Sequence, residues 1–323
     1  MISQELVLKF LRHNPALSVS TVEKESALAK GTLTKAITGE RNLNERHLAA
    51  LLPVLTKYGY SPNLYQNARV ISIINHKGGV GKTTTTGSLG EALARKGFNV
   101  LLIDMDPQGN LSQILGIDTP EKQVVDALLK ADELPVMNIA PNLDLSPSDI
   151  DLAKAEIELI ISLGGVSRLK NKLVPLMEQY DYILIDCPPA LSMLTVNALV
   201  AADGVIIPMQ CEYYALEGLS DLVNSIQRIS QLFNPSLKIE GLLRTMYDPR
   251  ISLTNDVSAQ LKQHFSDKLY DVVIPRNVRL AEAPSFGMPA LVYDKQSRGA
   301  IAYLALAGEL VRRQRVSAKP ATA

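Results

Sequence analysis

The rhythm of hydrophobic positions changes at about residue 69. Before it, apolar residues recur at helical spacing in short stretches. The clearest stretch runs from Asn44, a good N-cap, through Leu48, Leu51, Leu52 and Leu55 to a stop at Gly59, with Pro53 inside it as a possible kink. Tyr60 to Asn67 carries Pro and Asn without periodicity and reads as a linker. After Arg69, short apolar runs alternate with helical patterns. The runs predict strands over Val70–Ile74, Val100–Asp104, Tyr182–Asp186, Val205–Pro208, Ile239–Leu243 and Leu269–Ile274. Leu216, Leu219, Leu222, Val223, Ile226 and Ile229 are spaced for one buried helix face. Strands apolar on both faces and separated by helices imply an α/β domain with a mostly parallel sheet flanked by helices.

Composition adds little until it is read by region. Lys+Arg and Asp+Glu both total 33 in the 323 residues, so net charge points to no partner. Residues 1–66, however, hold eight Lys/Arg against five Glu and no Asp, a small basic head on a mildly acidic body, which hints at nucleic acid. The expected organisation is a helical domain over 1–66, a large α/β domain over 67–315 and a disordered basic tail over 316–323. Two cysteines, Cys187 and Cys211, make no disulfide framework and no metal-ligand spacing, as in a reduced cytosolic setting. No apolar run reaches the length of about 18 residues that spans a bilayer, and no signal peptide is evident at Met1.

The first predicted strand runs straight into Asn75-His-Lys-Gly-Gly-Val-Gly-Lys-Thr-Thr84, which opens a helix expected to reach about Lys96. Strand, glycine loop and helix in that order are the context of a phosphate-binding P-loop. Gly78, Gly79 and Gly81 let backbone N–H groups converge as an anion nest, at a helix N-terminus that adds partial positive charge. Lys82 is spaced to reach β- and γ-phosphates, and the Thr83 hydroxyl to ligate Mg²⁺. The general pattern would place glycine where His76 stands, so the loop is a variant one.

Two further acidic positions close apolar strands. Leu101-Leu-Ile-Asp104-Met-Asp106-Pro-Gln-Gly-Asn110 puts carboxylates at a strand's carboxyl end, where open α/β sheets hold ligands. Tyr182-Ile-Leu-Ile-Asp186-Cys-Pro-Pro189 is a Walker B candidate in which Asp186 would hold Mg²⁺ through water. Cys187 behind it reads as a small buried thiol.

Lys77-Gly78-Gly79-Val80-Gly81-Lys82-Thr83-Thr84 resembles, at all eight positions, the deviant Walker A loop of the ParA/MinD group. Asp104-Met-Asp106-Pro-Gln-Gly-Asn110, Ile207-Pro-Met-Gln-Cys-Glu-Tyr-Tyr-Ala-Leu-Glu-Gly218 and Val273-Ile-Pro-Arg-Asn-Val-Arg-Leu-Ala-Glu-Ala-Pro-Ser-Phe-Gly287 extend the likeness to ParA/Soj partition ATPases over roughly Val70 to Val311. The resemblance implies a P-loop NTPase fold, ATP and Mg²⁺ as ligands, and a homodimer formed around ATP. It implies that Lys77 reaches the partner copy's nucleotide, that Asp106 orients the attacking water, and that Asp104 supports Mg²⁺ or the loop, a purely structural cap being the alternative. Pro275 and Asn277 would border the adenine. The dimer would coat DNA on the nucleoid without sequence preference, Arg250 and Arg279 standing where such contacts fall, and a ParB-like protein would stimulate hydrolysis. Membrane association of the MinD kind is not expected, because the chain's last residues lack an apolar helix face.

Val19 to Gly39 resembles a phage-repressor helix-turn-helix, with Val22, Leu28, Leu33, Ala36 and Ile37 as core and Lys30, Thr34, Lys35 and Thr38 projecting toward a major groove. Two positions depart from that pattern: Ala27 where the turn usually has Gly, and Glu23 where a small residue is usual. The alternative is a helical module that helps dimerisation or binds a partner protein. At the level of the whole chain, an ATP-regulated transcriptional repressor and a membrane-surface positioning ATPase stand as rivals to partition.

Overall fold

The computed structural model describes residues 2–14, 16–60, 67–130, 132–213 and 215–317. Most of the expected linker, residues 61–66, and the tail from 318 onward lie outside the described residues. Val316 and Ser317, expected in the tail, belong to the helix Arg298–Ser317. The chain divides into two compact units, one of residues 1–68, 177–181 and 311–323, the other of residues 69–176 and 182–310.

In the smaller unit, four helices enclose their own core: α1 (Gln4–His13), α2 (Val19–Glu25), α3 (Thr32–Ile37) and α4 (Glu45–Lys57). Ser3 caps α1 through the Leu6 N–H, and Asn44 caps α4 through the His47 N–H at 2.9 Å. Val7, Phe10, Val22, Leu33, Leu51 and Leu55 fill the core, and the Phe10 and Tyr60 rings meet edge to face. Leu28 packs against it half-buried. Ile37 does not join it. At the last position of α3 it is 49% exposed, because Leu33 and Ala36 already occupy the inward face of that short helix.

The two departures near α3 have physical accounts. Ala27 has φ 53°, the left-handed region that a turn demands and that glycine fills without strain. The buried Glu23 carboxylate accepts hydrogen bonds from Gly31 N–H at 2.9 Å and Leu33 N–H at 2.7 Å. A side chain of α2 thus satisfies N–H groups that the start of α3 would otherwise leave open.

The larger unit is built on a seven-stranded sheet: β1 (Arg69–Ile73), β2 (Val100–Asp104), β3 (Met137–Ala140), β4 (Leu143–Ser146), β5 (Tyr182–Asp186), β6 (Gly204–Gln210) and β7 (Lys238–Thr245). The order is β3-β4-β2-β5-β1-β6-β7, parallel except for edge strand β3. Every residue of β2 and β5 is buried, as their apolar sequences require of central strands covered on both faces. β3 and β4 were not expected. Leu269–Ile274, expected as a strand, forms no ladder. Leu269 makes a single bridge to Leu242, and neighbouring backbone groups are taken by side chains. Buried Arg244 donates to the carbonyls of Tyr270 and Asp271, and the Glu309 carboxylate accepts the N–H groups of Asp271 and Val272. The helix Ala215–Phe233 buries Leu219, Leu222, Ile226 and Ile229.

Candidate nucleotide-binding site

Register assembles the site. Ile73 of β1 lies beside Asp186 of β5, and Asp186 beside Asp104 of β2. Three adjacent parallel strands therefore end together, at the edge where open α/β sheets place ligands. From β1 the chain turns through Asn75 to Gly81 and enters α5 (Lys82–Arg95). Gly81 makes the entry with φ 89°, a conformation that side-chain-bearing residues rarely adopt. The loop is fastened from beneath: Asn75 Nδ2 donates to Pro208 O, Gln210 Nε2 to Gly79 O, and Thr245 Oγ1 to Val80 O. The ends of β6 and β7 thus brace it. Gly78, Gly79 and Val80 lie within the braced turn, and Lys82, Thr83 and Thr84 form the first turn of α5. Lys82 is 7% exposed, with Nζ 3.4 Å from the Lys77 carbonyl oxygen.

The three carboxylates have different surroundings. Asp186 is fully buried. Its Oδ1 accepts from Thr86 Oγ1 at 3.2 Å, and Oδ2 is buried without a partner. Burial, with Asp104 adding to it, pushes the Asp186 carboxyl up to about 8. Asp104 is also buried, and burial raises it to about 6 although Oδ2 accepts from Ser112 N–H at 2.9 Å and Oδ1 from Asp106 N–H at 3.2 Å. Asp106 Oδ1 accepts from Gln108 N–H at 3.0 Å. Cys187 is buried, and burial holds its thiol well above the ordinary range.

The orphaned Asp186 oxygen, beside Thr83 and within the field of Lys82, is a donor set suited to a hard divalent cation. Asp104 has both oxygens taken, by the Asp106 N–H in the turn after β2 and by the Ser112 N–H on the short helix Asn110–Ile114, an arrangement that organises Asp106 and its neighbours. Outside the loop, Pro275 bridges Tyr247 just beyond β7, and the Asn277 Oδ1 is buried without a partner. Lys77 reaches none of these groups; its ammonium is paired with Glu212.

The expected DNA-contacting residues are exposed but occupied differently. Arg250 clasps Asp248 with two hydrogen bonds, which hold the Asp248 carboxyl down at about 2. Arg279 pairs with Glu282 at 2.9 Å and Asp294 at 3.6 Å. Lys30 lies in the turn before α3 rather than on it, whereas Thr34 and Lys35 are on that helix, and all three are exposed. Gln210, Glu212, Thr245, Thr86, Ser112 and Ser148 were not singled out from sequence. The first two lie in the 207–218 stretch already matched, but the others carry no motif.

A mostly parallel sheet in which β1 feeds a glycine loop and helix, with acids at the ends of β5 beside it and of β2 next along, defines a P-loop NTPase fold. Comparison narrows this. A family model described as an AAA domain matches residues 68–239. The sporulation initiation inhibitor protein Soj of Bacillus subtilis is 51% identical over 249 residues, 75% of this chain and 98% of its own. The chromosome partitioning protein ParA of Caulobacter vibrioides is 50% identical over 254 residues, 76% and 95% of the two chains. Among solved structures, cobyrinic acid a,c-diamide synthase from Mycobacterium smegmatis with bound ADP and magnesium superposes with a TM-score of 0.68 at 37% identity, covering 77% of this chain and 96% of that one. The chain belongs to the ParA/Soj family. Among the described residues no helix is long and apolar enough to cross a membrane.

Proposed function

We propose that the chain is a Mg²⁺-dependent ATPase of DNA partition, which dimerises on ATP, binds duplex DNA without sequence preference and is stimulated by a ParB-like partner. The carrying observation is the buried, unpartnered Asp186 oxygen at the foot of the braced P-loop. Thr83 and Asp186 would hold magnesium, which supplies positive charge against the phosphate oxygens. Lys82, fixed at the start of α5, neutralises the β- and γ-phosphates. Asp106 orients the attacking water, and Lys77 leaves Glu212 to reach the partner copy's nucleotide. The Asn277 Oδ1 suits the amino group of adenine, with Pro275 against the base. Arg250 and Arg279 contact DNA phosphates.

The test separates binding from chemistry. Lys82→Ala should abolish ATP-dependent dimerisation in light scattering. Asp106→Ala should dimerise, hydrolyse far more slowly and remain on DNA longer. A full ATP-dependent dimer of Lys82→Ala would refute the loop assignment, and normal turnover of Asp106→Ala would refute the mechanism.

A second reading, an ATP-regulated repressor, is favoured by one feature: the exposed Lys30, Thr34 and Lys35 at a helix whose start is fixed by Glu23. Operator binding through α3 with negligible stimulated turnover would support it.

A further inference from the structure

Two buried serines connect the strand-end acids in a closed circuit. Ser112 and Ser148 are 1% and 2% exposed. The Ser112 hydroxyl donates to Asp104 Oδ2 at 2.8 Å, and its oxygen accepts the Ser148 N–H at 3.0 Å. The Ser148 hydroxyl donates to the Asp106 carbonyl at 2.9 Å. The circuit closes where Asp106 N–H donates to Asp104 Oδ1. Each hydroxyl is spent on a group that sets the backbone of Asp106, and none touches its carboxylate. Gly109 allows the approach: a Cβ there would fall 2.8 Å from the Ser148 carbonyl oxygen.

We propose that Ser112 and Ser148 are positioning residues for hydrolysis, fixing the Asp106 turn so that its carboxylate meets the attacking water. This rests on the reading of Asp106 as the water-orienting residue. Buried hydroxyls bonded in series to two backbone groups and a buried carboxylate resist displacement, since each broken bond leaves an unsatisfied polar group. The P-loop, fastened instead by Asn75, Gln210 and Thr245, does not depend on the circuit. Loss of a serine hydroxyl should therefore act on the chemical step and spare nucleotide affinity.

The experiment compares full-length wild type, Ser112→Ala, Ser148→Ala, Asp106→Ala and the Ser148→Ala/Asp106→Ala pair. Affinity is read with a fluorescent ATP analogue, and hydrolysis by single turnover at saturating ATP. Each serine variant should hydrolyse about tenfold more slowly, with affinity within about twofold of wild type. In the Asp106→Ala background, Ser148→Ala should add nothing, because its effect passes through that carboxylate. Affinity falling in step with rate, a multiplicative double variant, unchanged rates, or two serine variants that fail to fold would each overturn the proposal. Failure of the underlying reading looks different: Asp106→Ala itself would then hydrolyse at the wild-type rate.

Discussion

Lys77 and Glu212 are joined within the single chain, the ammonium of the glycine loop donating to a carboxylate just beyond β6. The lysine expected to act on a second copy's nucleotide is thus held by its own chain. Both side chains are more than half exposed, so the pair is screened by solvent and exchanges readily.

Glu212→Gln should therefore release Lys77 and move ATP-dependent dimerisation to lower nucleotide concentration, by no more than about fivefold. Lys77→Ala should retain ATP binding but lose stimulated hydrolysis. Light scattering over an ATP titration checks the first, and a shift to higher ATP in Glu212→Gln would reject the holding role.

The buried acids predict a pH dependence of stability in the nucleotide-free protein. With Asp186 raised to about 8 and Asp104 to about 6, the folded chain keeps protons that the unfolded chain releases near pH 4. Between those values the folded state binds more protons, so stability falls as pH rises from about 4 to about 8. Urea midpoints measured in a chelator should drop across this window, and the drop should shrink in Asp186→Asn. Equal pH slopes in the two proteins would contradict the assignment.

The site was legible where a motif coincides with a continuous apolar strand. β2 and β5 begin and end where their sequences say, because five buried positions finishing in Asp104 or Asp186 allow no other reading. β3 and β4 escaped because Met137-Asn-Ile-Ala140 and Leu143-Asp-Leu-Ser146 are four-residue segments with no apolar run, paired near the sheet edge. Leu269–Ile274 misled in the opposite sense. Its apolar pattern is real, and the Tyr270 and Ile274 N–H groups donate to the carbonyls of Leu242 and Arg244. The backbone groups between them go instead to the side chains of Arg244 and Glu309, each more than 25 positions away, so no continuous ladder forms. The serine circuit is likewise made of contacts distant in sequence, which local patterns do not report.

For DNA, Arg250 and Arg279 start from ion pairs that a phosphate must displace. Arg250→Ala with Arg279→Ala should weaken binding to any duplex equally and reduce the salt slope by about two units, one per lost phosphate contact. Asp248→Asn should have the opposite effect, since it frees Arg250. Filter binding across a salt series decides, and a double variant with wild-type affinity and slope would place the DNA surface elsewhere.

The smaller unit offers a test in which stability and recognition separate. Ala27 holds a left-handed conformation at a cost of about 1 kcal/mol, so Ala27→Gly should stabilise the unit by up to that amount. Glu23→Ala should destabilise it by about 1–2 kcal/mol, because the N–H groups of Gly31 and Leu33 lose their acceptor. If α3 reads bases, the exposed Lys30, Thr34 and Lys35 carry that recognition, and a six-residue helix supplies only one half-site. Any operator should then be a two-half-site element bound by the dimer, and changing all three residues to Ala should erase its footprint upstream of the gene. ATP hydrolysis and sequence-independent DNA binding should be unchanged in that variant, since the circuit around Asp106 and the arginines of the larger unit are untouched. An intact footprint would end the repressor reading. Loss of ATP-dependent dimerisation would instead identify the helical unit as an assembly module.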